Sequence, residues 1–116
     1  MFGDKSRWKL KVRVWVERDG EKLLGPGRVE LLGLIEEQGS ISAAAKRMKM
    51  SYRRAWSLVR DMNEVAGEPL VELATGGSGG GGAMLTPFGK QALVFYRRLN
   101  DRLARTAAET AHLSTK

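Results

Sequence analysis

The sequence predicts a mainly α-helical domain with small β elements, and three observations point to it. Apolar residues recur at helical spacing between residues 28 and 66, and again between 88 and 103. Strand-like alternation is confined to the first 25 residues. Glycines concentrate in one run, 76–82, set between the short apolar stretches 70–73 and 83–85.

The first element is a hairpin over residues 1–25. From Trp8 to Glu17 apolar and charged residues alternate with period two, which predicts a strand with one buried face. Arg18-Asp19-Gly20-Glu21 follows, and Asp-Gly is the strongest short signal for a two-residue hairpin turn. Lys22-Leu23-Leu24 is the expected return strand, and the Lys/Arg row of this hairpin reads as a solvated sheet face. Gly25-Pro26-Gly27 ends the alternation. Val29, Leu31, Leu32, Leu34 and Ile35 then mark a first helix that stops by Gly39. Ser40 stands before Ala43-Ala44-Ala45-Lys46-Arg47-Met48, an N-cap followed by strong helix formers. Lys49-Met50-Ser51 interrupts, and Ser51 caps a third helix running to about Ala66.

Leu70 to Ala74 and Ala83 to Leu85 are short strands joined by the glycine run. Thr86-Pro87 opens the last helix, with threonine as N-cap and proline at the first helical position, where its missing N–H costs nothing. Phe88, Ala92, Phe95, Leu99 and Leu103 give this helix an apolar stripe that runs to about Ala108. The expected organisation is one domain, 1–116, with a hairpin (1–25), a three-helix unit and two-stranded wing (26–85), a long helix (86–108) and a tail (109–116). A short second helix, a tight turn and a longer third helix followed by a β-ribbon define a winged helix-turn-helix.

Composition narrows the function. Lys and Arg number 20 against 13 Asp and Glu, a formal charge of +7, which favours a polyanionic partner such as nucleic acid or an anionic membrane surface. There is no cysteine, which excludes disulfides, thiolate metal sites and cysteine nucleophiles. Apolar runs fall short of the ~18 residues of a membrane span, and residues 1–13 lack the apolar core of a signal peptide. A cytoplasmic, nucleoid-associated protein is expected. The only histidine, His112, lies in the tail, and the acidic residues lack metal-ligand spacing, so neither an enzyme nor a metal or cofactor is expected.

At about 100° per residue, Tyr52, Ala55, Trp56, Val59, Met62 and Ala66 of the third helix share one arc, expected to face the core. Arg53, Arg54, Ser57 and Asp61 occupy the opposite arc, with Arg60 at its edge. Burial on one side and guanidinium groups on the other suit a recognition helix, whose first turns enter the major groove. Gly77, Gly79 and Gly82 formally match G-x-G-x-x-G, but a strand follows, not a helix whose N-terminus would hold a pyrophosphate. The run reads instead as a wing tip, whose bare backbone approaches a phosphate or lies along a minor groove.

Gly39-Ser40-Ile41-Ser42-Ala43-Ala44-Ala45-Lys46 resembles the second-helix signature shared by LysR-type regulators and the molybdate-responsive ModE regulators. Ser51-Tyr52-Arg53-Arg54-Ala55-Trp56, Met62-Asn63, and Leu70-Val71-Glu72 through the glycine run to Leu85-Thr86 and Gly89 resemble the ModE type specifically. The resemblance covers about 28–103. It implies a dimer paired through the last helix, with Phe95, Leu99 and Leu103, and through the N-terminal segment. It also implies Ser51, Arg53, Arg54 and Ser57 at the groove, with Thr75, Gly76, Gly77 and Ser78 in the wing. Lys49, Tyr52 and Arg60 complete the expected DNA-binding set. ModE proteins carry molybdate in domains that follow this module, whereas this sequence ends at Lys116; a stand-alone form is expected, with no oxyanion binding carried over and the effector left open.

The expected function is sequence-specific binding of double-stranded DNA by a dimeric transcriptional regulator. A protein-interaction module reusing the winged fold, or a small oxyanion-responsive regulator using the glycine run as an anion nest, are the alternatives.

Overall fold

The computed structural model describes residues 7–74 and 82–113, with side chains as far as Ala111. Its elements run β1 (Val16–Arg18), β2 (Glu21–Leu24), α1 (Pro26–Gln38), α2 (Ile41–Arg47), α3 (Tyr52–Ala66), β3 (Val71–Ala74), β4 (Gly82–Leu85) and α4 (Pro87–Leu113). The expected wing residues Thr75, Gly76, Gly77 and Ser78 lie outside the described residues.

Strands β1 and β2 pair antiparallel around a two-residue loop, with Arg18 opposite Glu21. Asp19 and Gly20 both have positive φ, 52° and 80°. That is the geometry of a type I′ turn, which the twist of paired strands favours and which Asp-Gly supplies. The hairpin is shorter than the alternation predicts. Residues 8–15 are not in a strand, and Trp8, Leu10, Val12 and Trp15 are exposed, so the predicted buried face does not exist along this arm. Only Val14 and Val16 pack against the core. Period-two patterning requires a surface to cover the apolar row, and within this chain β2 is too short to bring one. The arm is nevertheless fixed at its inner end, where the Tyr96 hydroxyl donates to the Val14 carbonyl at 2.8 Å.

The three central helices follow their start and stop residues. Helix α1 begins at Pro26, and Gly39 closes it in the left-handed region (φ 74°), its N–H returning to the Ile35 carbonyl. The Ser40 hydroxyl accepts from the Ala43 N–H at 2.9 Å and opens α2. Lys49, at φ 57°, turns the chain between α2 and α3, held by the Lys49 N–H to Lys46 and the Met50 N–H to Ala45. The Ser51 hydroxyl then accepts from the Arg54 N–H at 3.1 Å, and Gly67 (φ 79°) ends α3. Ala44 and Ala45 are buried where α2 meets its neighbours, and side chains this small let the helix backbones approach closely.

Leu24, Leu31, Leu32, Ile35, Met62 and Leu70 are the largest fully buried side chains, so the core lies between α1, α3 and the hairpin and wing bases. Burial of each such side chain contributes about 1.5–3 kcal/mol before conformational entropy is subtracted. Among the described residues, every buried side-chain nitrogen or oxygen has a hydrogen-bond partner. Strands β3 and β4 pair antiparallel from Val71 opposite Leu85 to Ala74 opposite Gly82. The Ala83 N–H donates to the Gly39 carbonyl at 2.9 Å and ties this ribbon to the α1–α2 junction.

Helix α4 extends to Leu113, beyond the end near Ala108 that the stripe predicts. At ~1.5 Å per residue its 27 residues span about 40 Å. Leu93 and Tyr96 bury its inner face, whereas Phe95 and Leu103 remain exposed and Leu99 half-buried. No helix among the described residues is long and apolar enough to cross a membrane.

Candidate nucleic-acid interface

Helix α3 separates its two faces cleanly. Ala55, Val59, Met62 and Ala66 are buried, and Leu58 packs against the same core. Arg53, Arg54, Ser57 and Arg60 are exposed. The buried arc is narrower than the sequence predicts. Tyr52 (53% exposed) and Trp56 (37%) fall outside it, because the core contacts centre on the Ala55–Met62 line and both aromatics lie at its flank. Tyr52 therefore joins the exposed set at the first turn of α3, while Trp56 stacks on Arg60, with the guanidinium carbon 5.3 Å from the ring centroid.

Ser51, Arg53, Arg54, Ser57 and Leu58 line one shallow depression at the start of α3. Four of the residues expected at the groove are thus brought together on one surface. Arg53 and Arg54 make no side-chain hydrogen bond or ion pair with other described residues, so their guanidinium donors face outward. Ser51 has a structural duty as well, since its hydroxyl caps the helix. Lys49 is exposed at the turn immediately before it. Asp61, expected on the outward arc, turns back to Arg28 in an ion pair of 2.8 Å, while the same Arg28 nitrogen donates to the Lys22 carbonyl at 3.0 Å. This pairing removes the one carboxylate of the outward arc from competition with a polyanion.

Two residues position the site through contacts that periodicity in the sequence does not reveal. The Asn63 side-chain oxygen accepts the Leu70 N–H at 2.8 Å and the Val71 N–H at 3.4 Å, while its amide nitrogen donates to the Val71 carbonyl at 3.1 Å. One side chain thereby satisfies both polar groups of Val71 and fixes the base of the ribbon to α3. Arg18, at the end of β1, donates to the carbonyls of Val65 and Ala66 and caps the C-terminus of α3, where a cation also complements the helix dipole. Helix α3 and the ribbon are consequently set on one frame. Among the described residues no group of three or more His, Cys, Asp or Glu side chains is placed to hold a metal ion.

A capped tri-helical unit, an outward cationic helix and a β-ribbon define a winged helix-turn-helix domain. The family model for the bacterial regulatory helix-turn-helix protein, lysR family, matches residues 28–90, and the chain belongs to that family. It is 41% identical over 91 residues to the molybdenum transport protein ModE of Azotobacter vinelandii and 49% identical over 71 residues to the transcriptional regulator ModE of Yersinia pestis. These matches cover 78% and 61% of this chain but 34% and 27% of those proteins. The chain therefore spans about a third of the length of the relatives it matches, and the ModE-type resemblance read from its motifs holds over that part. Among solved structures, those of the CbnR_DBD–DNA complex (TM-score 0.59, 22% identity) and the BenM_DBD/benA site 1 DNA complex (0.56, 16%) share the fold. Each covers 76% of this chain, and the match takes in 95% and 93% of those chains.

Proposed function

We propose that the chain binds double-stranded DNA as a homodimeric transcriptional regulator, reading sequence with α3 in the major groove. The observation that carries this reading is the outward face of α3, where Arg53, Arg54 and Ser57 stand together with no ion pair to other described residues on a helix capped at both ends. Arg fits the paired acceptors of guanine and clamps phosphates with equal facility. The family membership supports the same partner, as do the two structural neighbours, both solved as DNA complexes. Thr75, Gly76, Gly77 and Ser78, with Lys49, Tyr52 and Arg60, are assigned to backbone or minor-groove contacts flanking the helix. The chain is read as one domain whose partner is the duplex, in the cytoplasm.

The test is a gel shift with genomic fragments over a salt series. If several phosphates are contacted, affinity falls roughly 10³-fold or more between about 50 and 200 mM salt, with a preferred fragment persisting at moderate salt. Salt-insensitive binding with no preferred fragment would transfer the surface to a protein partner.

The dimer assignment rests on apolar side chains that are exposed among the described residues. Phe95, Val94 and Leu103 are exposed along α4, and Trp8, Leu10 and Val12 along the arm that Tyr96 anchors to it. A second copy presents the same stripe, and a helix of this length offers a self-complementary seam about a two-fold axis. Phe95→Glu combined with Leu103→Glu is expected to convert a dimer into a monomer in analytical ultracentrifugation. Because both side chains are exposed in the monomer, the helical circular dichroism signal should persist; a dimer that survives the double change would place the interface elsewhere.

A further inference from the structure

We infer that Trp56 is a positioning residue, holding Arg60 in the orientation in which it meets a DNA phosphate; the inference rests on the duplex-binding reading above. Burial accounts for only part of the indole at this position, since Trp56 lies at the flank of the buried arc of α3 and is 37% exposed. Its visible partner is Arg60, one turn further along the helix, whose guanidinium lies over the ring at 5.3 Å. Among the described residues no carboxylate pairs with Arg60.

The position of Arg60 relative to the groove follows from helical spacing. Arg53, Ser57 and Arg60 are spaced i, i+4, i+7 and share the outward face. Arg60 stands about 10 Å further along the axis than Arg53. The major groove is about 12 Å wide. With the first turn of α3 inside the groove, Arg60 reaches its margin, where the phosphates lie. A long side chain there would lose much rotamer freedom on docking. Stacking on Trp56 restricts that freedom beforehand. The contact draws on the guanidinium charge over the ring and engages none of its N–H donors in a hydrogen bond, and those are the groups that bind phosphate oxygens in a fork. Indole and phosphate therefore engage Arg60 together without competing.

The experiment is a double-mutant cycle read on a labelled mixed-sequence duplex roughly three helical turns long, over a salt series, with the full chain. Arg60→Gln should weaken binding and reduce the slope of log K against log salt by about 0.9 for each phosphate it no longer neutralises. Trp56→Leu should weaken binding about two- to fivefold, the scale of an exposed cation–π contact, with the slope unchanged because the charge remains. Trp56→Phe, which keeps a ring, should retain most of the affinity. Added to Arg60→Gln, Trp56→Leu should cause no further loss. Independent, multiplicative effects in the double variant overturn the inference, as does a Trp56→Leu protein that binds like wild type. Wild-type protein without salt-dependent duplex binding overturns the DNA reading itself, and the inference with it.

Discussion

Replacing Arg53 and Arg54 with alanine should lower the discrimination between a preferred duplex and a scrambled one by at least about 30-fold, since each bidentate base contact supplies ~1–3 kcal/mol of selectivity. The change should leave the fold intact. Both side chains are exposed and make no ion pair with other described residues, and the cap at the start of α3 uses the backbone N–H of Arg54, which alanine retains. Melting should stay within about 0.5 kcal/mol of wild type, the usual range for surface substitutions. The paired change to lysine separates charge from geometry. Lysine preserves the positive charge but lacks the planar fork. Arg53→Lys with Arg54→Lys should therefore keep the salt slope and the affinity for scrambled DNA while losing most of the discrimination. Retained discrimination in the alanine variant would falsify the placement of α3 in the groove.

The helical frame of this site is legible in the sequence because its determinants are local. Ser40, Ser51 and Thr86 cap the helices that follow them, Gly39 and Gly67 adopt the left-handed conformation that ends a helix, and Asp19-Gly20 makes the hairpin turn. Each needs only its near neighbours to act. What the pattern misses depends on contacts between distant segments. The Asn63 clamp on Leu70 and Val71 and the Arg18 cap on α3, 47 and 48 residues away, leave no periodic trace. The alternation from Trp8 to Glu17 shows an apolar row but not the surface that would cover it, so the buried strand face it suggests is absent among the described residues. Projection of α3 places Trp56 in the core for a related reason. An arc drawn from apolar identity is wider than the arc the neighbours reach, and an indole at its edge is free to serve a guanidinium instead.

The largest effect on stability is expected from Gly89→Ala, in the first turn of α4. A β-carbon at Gly89 would lie far inside contact distance of the Leu70 carbonyl oxygen and 2.9 Å from the carbonyl carbon, both backbone atoms. Neither side can yield cheaply. The same carbonyl accepts the Thr86 N–H at 2.9 Å, and the Thr86 hydroxyl donates to Pro69 at 2.7 Å while accepting the Gly89 N–H at 2.9 Å. Withdrawing Leu70 would pull on the Asn63 clamp, and withdrawing α4 would open the packing of Leu93 and Tyr96. Overpacking a well-filled core costs ~1–3 kcal/mol, occasionally more; with the clash on backbone from both directions, a loss of about 3 kcal/mol is expected. That corresponds to a fall in Tm of at least about 10 °C for a chain of this size. Gly27→Ala is the matched control. A β-carbon there meets nothing, and alanine is favoured over glycine in a helix by roughly 0.5–1 kcal/mol, so α1 should be stabilised slightly. The junction at Gly89 joins the base of the wing to the helix assigned to dimerisation. At temperatures where Gly89→Ala remains folded, displacement of α4 should weaken dimerisation and duplex binding together, whereas the Arg53/Arg54 variants lose DNA discrimination and stay dimeric. A Gly89→Ala protein that melts like wild type would show that the close approach of Leu70 to α4 is not a feature of the folded chain.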